Sequence, residues 1–237
     1  LTSGRDRGRI WRLAPEKFER RSTPQLDRAT PQELVALLSH PNAWHRETAA
    51  RLIYERQLRE AIPALQAAVT ESEEPLGRMH ALYSLAGLDA LEPDQILAAL
   101  QDRHARVREH AVRLSEPLAG DSPAIQQRLF ALVADSDARV RYQLAFSLGE
   151  LQSSARRQAA LADLGRRDAA DTWARLAIFS SLASGAGEVF LQLAADHEFA
   201  ASSSGSTFLS ELARQIGAQG RQADIAAVVK AIDGLPD

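Results

Sequence analysis

The chain has 237 residues, no Cys, 5% aromatic residues and a net charge of -3. This excludes disulfides and thiolate metal sites, and abundant Ala and Leu with few aromatics favour packed helices over a β-sandwich. The charge is uneven: residues 1–30 carry a net +4 and the remainder -7, so a mildly acidic body with a basic leader is a poor nucleic-acid binder.

The first residue is Leu rather than Met, which reads as a fragment or processed form, so the lack of a targeting signal says nothing about compartment. No apolar run approaches the roughly 18 residues that span a bilayer, so no direct membrane insertion is expected. Gly8-Arg9-Ile10-Trp11-Arg12-Leu13 alternates polar and apolar, as a half-buried strand does. No second strand-like run follows. Residues 14–29, with Pro15 and Pro24 among charges, read as a linker, so residues 1–29 form a strand-like leader ahead of a helical domain over 30–237.

Thr30-Pro31-Gln32-Glu33 predicts a firm helix start, with Thr30 as cap, Pro31 at the first position and Glu33 reaching back. Leu34, Leu37 and Leu38 form its inner side. His40-Pro41-Asn42 ends it, and a second helix is expected over about Ala43 to Glu55. The next pair uses Ile62, Leu65 and Val69. The third opens at Pro93 and buries Ile96, Leu97 and Leu100. The fourth opens with Asp121-Ser122-Pro123 and carries Ile125, Leu129, Leu132 and Val133. Leu161 and Leu164 mark the fifth. A sixth, looser pair runs from Val189, Phe190 and Leu193 through an expected Ser202-Ser203-Ser204-Gly205 loop to Phe208, Leu209, Leu212 and Ile216. Ile225, Val228, Val229 and Ile232 stripe a last helix.

The pairs repeat. Asp135-Ser136-Asp137-Ala138-Arg139-Val140-Arg141 copies Asp102-Arg103-His104-Ala105-Arg106-Val107-Arg108 at a spacing of 33 residues. The last Arg of this motif recurs as Arg46, Arg78, Arg108, Arg141 and Arg175, at spacings of 32, 30, 33 and 34. Residues three, four and seven after each of these arginines are apolar except Ser115, which stands beside Leu114. Positions 0, 3, 4 and 7 share one helix face, so five helices each carry one buried stripe. A repeat near 30 residues is the signature of an α-α solenoid. The repeated arginines are expected to pair with acidic turn residues such as Asp102, Asp135 and Asp137, as partly exposed pairs contributing about 0–1 kcal/mol each.

A short acidic turn followed by Val-Arg at the second helix resembles HEAT repeats in a short form. The Val-Arg pair is complete at Val107-Arg108 and Val140-Arg141, and partial at His45-Arg46, Gly77-Arg78 and Ala174-Arg175. The resemblance covers residues 30–183 well and implies an all-α, right-handed HEAT-like superhelix of about six helical pairs. A second resemblance rests on Gly8–Leu13, on Glu33-Leu34, and on Leu38-Ser39-His40-Pro41-Asn42-Ala43-Trp44-His45-Arg46 with Ala49-Ala50-Arg51-Leu52. It is similar to a family of large bacterial membrane-bound-dehydrogenase-like proteins that join a β-propeller, HEAT repeats and a c-type haem domain. In that family a Gly-Arg-Ile-Tyr-Arg-type strand closes the propeller; here Trp11 stands at the Tyr position. The resemblance implies a non-enzymatic, extracytoplasmic (periplasmic) scaffold segment that carries no cofactor itself and contacts flanking domains or another protein, as a monomer. A stand-alone peptide-binding adaptor and a HEAT-like enzyme such as a bilin lyase or hydroxylase are the alternatives.

Six His residues raise the question of metal, but His104 and His110 face different directions, and Glu109-His110 and His197-Glu198 do not make the several symmetric dyads that HEAT-like di-iron hydroxylases need. No Gly-x-Ser-x-Gly elbow and no phosphate loop appear. No catalytic residue, metal ligand or cofactor is expected. Trp44 and Trp173 both lie two residues before the repeated Arg and are expected to pack on the neighbouring helix, with partner anchoring as the alternative. The position five after the Arg lies about 140° around the helix from it. It holds Arg51, Tyr83, Arg113, Phe146 and Ser180, with Glu47, His80, His110 and Tyr142 adjacent. Arg51, Tyr83, Arg113, Tyr142 and Phe146 are the candidate partner-binding residues; packing of Tyr83 and Phe146 on the next repeat is the plainer reading.

Overall fold

A computed structural model of the chain describes residues 11, 13–18 and 23–233, and among these there is no strand. The helices run in pairs. Thr30 caps α1 (Pro31–Leu37) through a capping box closed by Glu33, at 2.8 Å from the Thr30 N–H. Asn42 caps α2 (Ala43–Glu55). Next come α3 (Ile62–Glu71) with α4 (Pro75–Gly87), then α5 (Pro93–Ala99) with α6 (Ala105–Leu114). After a single turn, α7 (Glu116–Ala119), come α8 (Pro123–Ala131) with α9 (Ala138–Ser147), and α10 (Ala155–Asp168) with α11 (Thr172–Ser180). Pro at the first position opens α1, α4, α5 and α8, where the missing N–H has no partner to lose.

First helices stack on first helices (α1, α3, α5, α8, α10) and second on second (α2, α4, α6, α9, α11). The second-helix row is the more closely packed, as the inner side of a curved array is. The expected stripe is the core: Ala49, Ile53, Ala81, Leu82, Leu85, Ala111, Val112, Leu144, Leu148, Ile178 and Leu182 are all buried. Val140 sits between the helices of its unit with no exposed surface. Ser115 is buried as well, and its hydroxyl donates to the Val112 carbonyl at 2.6 Å, which satisfies it inside the stripe.

The array departs from its period after α11. There α12 (Ala186–Ala194) packs on α10, a short α13 (His197–Ala201) intervenes, and α14 (Ser203–Gln219) takes the second-helix place against α11. The last helix, α15 (Gln222–Asp233), lies across α12. The expected loop at Ser202–Gly205 is not one. Ser202 caps α14 by accepting the Gly205 N–H at 3.0 Å, and Ser203, Ser204 and Gly205 form the first turn. Gly205 is required there, since a Cβ would come within 1.9 Å of the Phe199 carbonyl oxygen. In α15 only Val228 of the expected stripe is buried; Val229 and Ile232 are exposed.

At the other end, Leu26 is buried and the Asp27 carbonyl accepts from Arg56 at 3.2 Å, so the stretch just before α1 is docked on the first unit. The strand expected over Gly8–Leu13 lies largely outside the described residues; Trp11 and Leu13 are irregular and exposed.

Two second helices end in the same way. Gln57 after α2 and Asp89 after α4 have left-handed φ of 47° and 51°, and the following N–H groups of Leu58 and Ala90 close onto the Ile53 and Leu85 carbonyls. Glycine adopts this cap without a Cβ penalty. Gln57→Gly and Asp89→Gly should therefore each stabilise by about 0.5–1 kcal/mol. Urea melts of the single variants check this, and an unchanged or lower midpoint contradicts it.

Candidate functional site

The repeated arginines do not stay within their own unit. All five send Nη1 back to the turn before their helix, and four of them, Arg78, Arg108, Arg141 and Arg175, turn the other edge onto an acid of a later unit. Arg78 donates to the Ser72 and Glu73 carbonyls and bidentately to Asp102, at 2.6 and 2.8 Å. Arg108 does the same to the Asp102 carbonyl and to Asp135, at 2.7 and 2.8 Å. Arg141 takes the Asp135 carbonyl and Asp168, at 2.8 and 2.6 Å. Arg175 takes the Ala169 carbonyl and, at 2.9 Å, Glu211 of α14. The expected partner Asp137 is instead the cap of α9, accepting from Arg139 N. The ladder is also far more buried than surface pairs: the Arg78 and Asp102 side chains are 4% and 8% exposed. Breaking such a pair therefore costs more than the 0–1 kcal/mol expected from sequence.

The rung from Arg46 is absent. Ser72 stands where Asp102 and Asp135 stand in later turns, and its hydroxyl meets that of Ser39 at 2.9 Å. Gly77 makes room for this pair, since a Cβ there would lie 2.0 Å from Ser39 Oγ. Arg46 keeps its bonds to the His40 and Pro41 carbonyls, while its buried Nε has no partner.

Asp102 and Asp135 each serve twice, also accepting the N–H of His104 and Asp137. Burial would raise both carboxyls, but the arginine bonds and these N–H groups outweigh it, and both titrate below the ordinary carboxylate value. A depressed carboxylate contributes stability above its unfolded pKa and loses it as pH falls through the folded one. His80 and His110 are depressed too, by burial first; Arg46 and His110 add to this at His80 and Arg113 and Arg106 at His110, while Glu47 and Glu109 pull the other way. Charging these imidazoles opposes folding, so stability should begin to fall as pH drops below about 6.5. It should fall again below about pH 4 as the ladder protonates. Melting temperatures from pH 8 to 3 check both steps. The His80→Gln/His110→Gln double variant should lose the upper one only; a curve it leaves unchanged would contradict the assignment.

The second-helix side carries the candidate partner residues. Arg51 is exposed and ion-paired with Glu55 at 3.2 Å. Tyr83 is 37% exposed, and its hydroxyl is hydrogen-bonded to Nδ1 of His110 at 2.9 Å. Phe146 is equally exposed and packs edge-on against Tyr142, which is half-buried. Arg113 and Ser180 are exposed. Tyr83 and Phe146 thus each rest on one neighbouring ring and present another edge to solvent. Trp44 and Trp173 are not packed on the neighbouring helix as expected; they are 60% and 68% exposed. Two residues before the Arg is the first turn of the second helix. Leu76 and Leu176 are exposed on the same side.

One residue escaped the sequence reading. Arg157 of α10 is 2% exposed and faces no carboxylate. It donates to the carbonyls of Leu148 (2.7 Å), Ser184 (3.3 Å) and Ser181, tying the end of the fourth unit to the turn after α11. These carbonyls lie at and beyond the C-terminal ends of α9 and α11, which favour a cation. Burial lowers its pKa. The available signal was position: Arg157, Leu161 and Leu164 share one helical stripe.

Among the described residues no group of three or more His, Asp or Glu is arranged to hold a metal ion, and no helix is long and apolar enough to cross a membrane. The sequence model of the HEAT-repeat family matches residues 31–114, which span α1 to α6. No curated protein and no solved structure matches the chain significantly. The chain is an all-α HEAT-like repeat solenoid with a HEAT-repeat region at 31–114, a helical scaffold of the kind commonly used in protein interaction.

Proposed function

We propose that the chain is a non-enzymatic scaffold that holds a protein partner on its second-helix face. The carrying observation is that face itself: Trp44, Leu76, Tyr83, Phe146, Trp173 and Leu176 stand exposed on four of its five second helices, α2, α4, α9 and α11. Exposed aromatics on a rigid array are the usual anchors of a protein interface. Photo-crosslinking residues placed at Ser180 and Arg51, on this face, should capture another polypeptide or a flanking domain. The same probe at Gln127 of α8, on the first-helix side, should capture none. Equal capture from both sides would overturn the reading.

The finer reading follows from the resemblance at Gly8–Leu13 and Glu33–Leu52. In it the segment acts as a monomer within a larger bacterial membrane-bound-dehydrogenase-like protein in the periplasm. It holds no cofactor and contacts the flanking propeller and haem domains. The flanking gene sequence tests this. Propeller repeats upstream and a Cys-x-x-Cys-His downstream are expected, and their absence would leave a stand-alone adaptor.

A further inference from the structure

Two opposite charges lie unpaired in one groove. The groove holds about 410 Å³ and is lined by the end of α4 with the turn after it, by the end of α6, and by α7. That size lies within the roughly 300–1,000 Å³ of small-molecule sites. Asp89 follows α4 and Arg113 stands in the last turn of α6; both line the groove and both are exposed. Neither side chain has a hydrogen-bond or ion-pair partner among the described residues, and the two do not pair with each other. On the neighbouring helices the charges are matched, Arg51 by Glu55 and Arg106 by Glu109. Glu116 brings a second carboxylate to the groove, but its Oε1 already accepts the Ser147 hydroxyl at 2.6 Å and the Gln143 amide at 3.4 Å. Leu91, Leu114, Pro117 and Leu118 supply an apolar wall. The C-terminal ends of α4 and α6 add partial negative charge. A purely anionic ligand would meet two carboxylates here. A purely cationic one would be set against Arg113. A ligand with both charges on an apolar body answers all of these features.

We infer that this groove binds a free α-amino acid with a branched apolar side chain. Its carboxylate takes the guanidinium of Arg113, whose planar fork suits a bidentate pair. Its ammonium takes Asp89, in the negative potential that Glu116 and the two helix ends add. Its side chain covers the leucine wall, and this burial adds to two exposed ion pairs that would each contribute little alone. An open groove and a ligand this small set the affinity in the millimolar range. The site needs no protein partner, so it goes beyond the scaffold reading and is decided separately from it.

Titration of the full chain with L-leucine, followed by amide chemical shifts, tests it. Shifts should move and saturate at Asp89, Leu91, Arg113, Leu114 and Leu118. Leucinamide keeps the ammonium and lacks the carboxylate; isocaproate keeps the carboxylate and lacks the ammonium. Each should bind at least tenfold more weakly than leucine. Asp89→Asn and Arg113→Gln should each weaken leucine by a similar factor. Both side chains are exposed, and Asn accepts the left-handed backbone of Asp89, φ 51°, so the amide spectrum away from the groove should match the parent in both variants. No saturable shift with leucine would overturn the inference. So would equal binding of either single-charge analogue, or leucine binding that survives either substitution. Capture from the second-helix face by photo-crosslinking would in each case still uphold the scaffold reading.

Discussion

Replacing Arg157 by Ala should lower stability by about 3–5 kcal/mol. The guanidinium serves three carbonyls at the junction of α9, α10 and the α11–α12 turn, and two of its bonds are buried. Each carbonyl left without a donor costs about 1–3 kcal/mol, and a cavity adds to this. For a chain of this size that is a fall on the order of 10 °C in melting temperature. Arg157→Met separates the causes, because it keeps the apolar stem and removes the donors. Most of the loss should remain in the Met variant. If Met restores the parent stability, the arginine is packing filler rather than a clamp.

The second large effect is expected at Asp135. This carboxylate holds Arg108 of the preceding unit and the N–H of Asp137 ahead of α9, and its side chain is 5% exposed. Asp135→Ala leaves a mostly buried guanidinium without its counter-charge, which costs about 3–5 kcal/mol. Arg108→Ala with Asp135→Ala should cost clearly less than the sum of the single changes, because the second change removes the stranded partner. Strict additivity in chemical denaturation would show that the two side chains are not coupled. The array unfolds by neighbour-to-neighbour contacts, so the units on both sides of the α6–α9 contact should loosen together.

Much of this was legible in the sequence, for physical reasons. The stripes at Ala49, Leu82, Val112 and Leu144 are visible because burial on one helix face imposes the 3.6-residue period. The Arg ladder was half visible. Arginines and acidic turns stand out, but a turn such as Asp135-Ser136-Asp137 offers two acids, and only the fold decides that Asp135 bridges units while Asp137 caps a helix. Arg157 was hidden because an arginine near a helix start is ordinarily solvated, and its partners are backbone carbonyls that no side-chain pattern reports. The Ser202–Gly205 stretch misled because the residues that favour loops also favour helix caps. For Trp44 and Trp173 the helical position was legible, but not their exposure, because a residue in the first turn of a helix has few neighbours that its own sequence reports.

The unit-to-unit ladder is tested most directly where it is missing. Arg46 has a buried Nε without a partner, and Ser72 occupies the place of the ladder acid. Native-state hydrogen exchange of the parent chain and of Ser72→Asp compares the first interface with and without its rung. If the arginines clamp each unit to the next, the new carboxylate should slow exchange in α1 and α2 by roughly tenfold, the equivalent of about 1.4 kcal/mol, and leave α8 to α11 unchanged. Equal or faster exchange in α1 and α2 of Ser72→Asp would contradict the clamp.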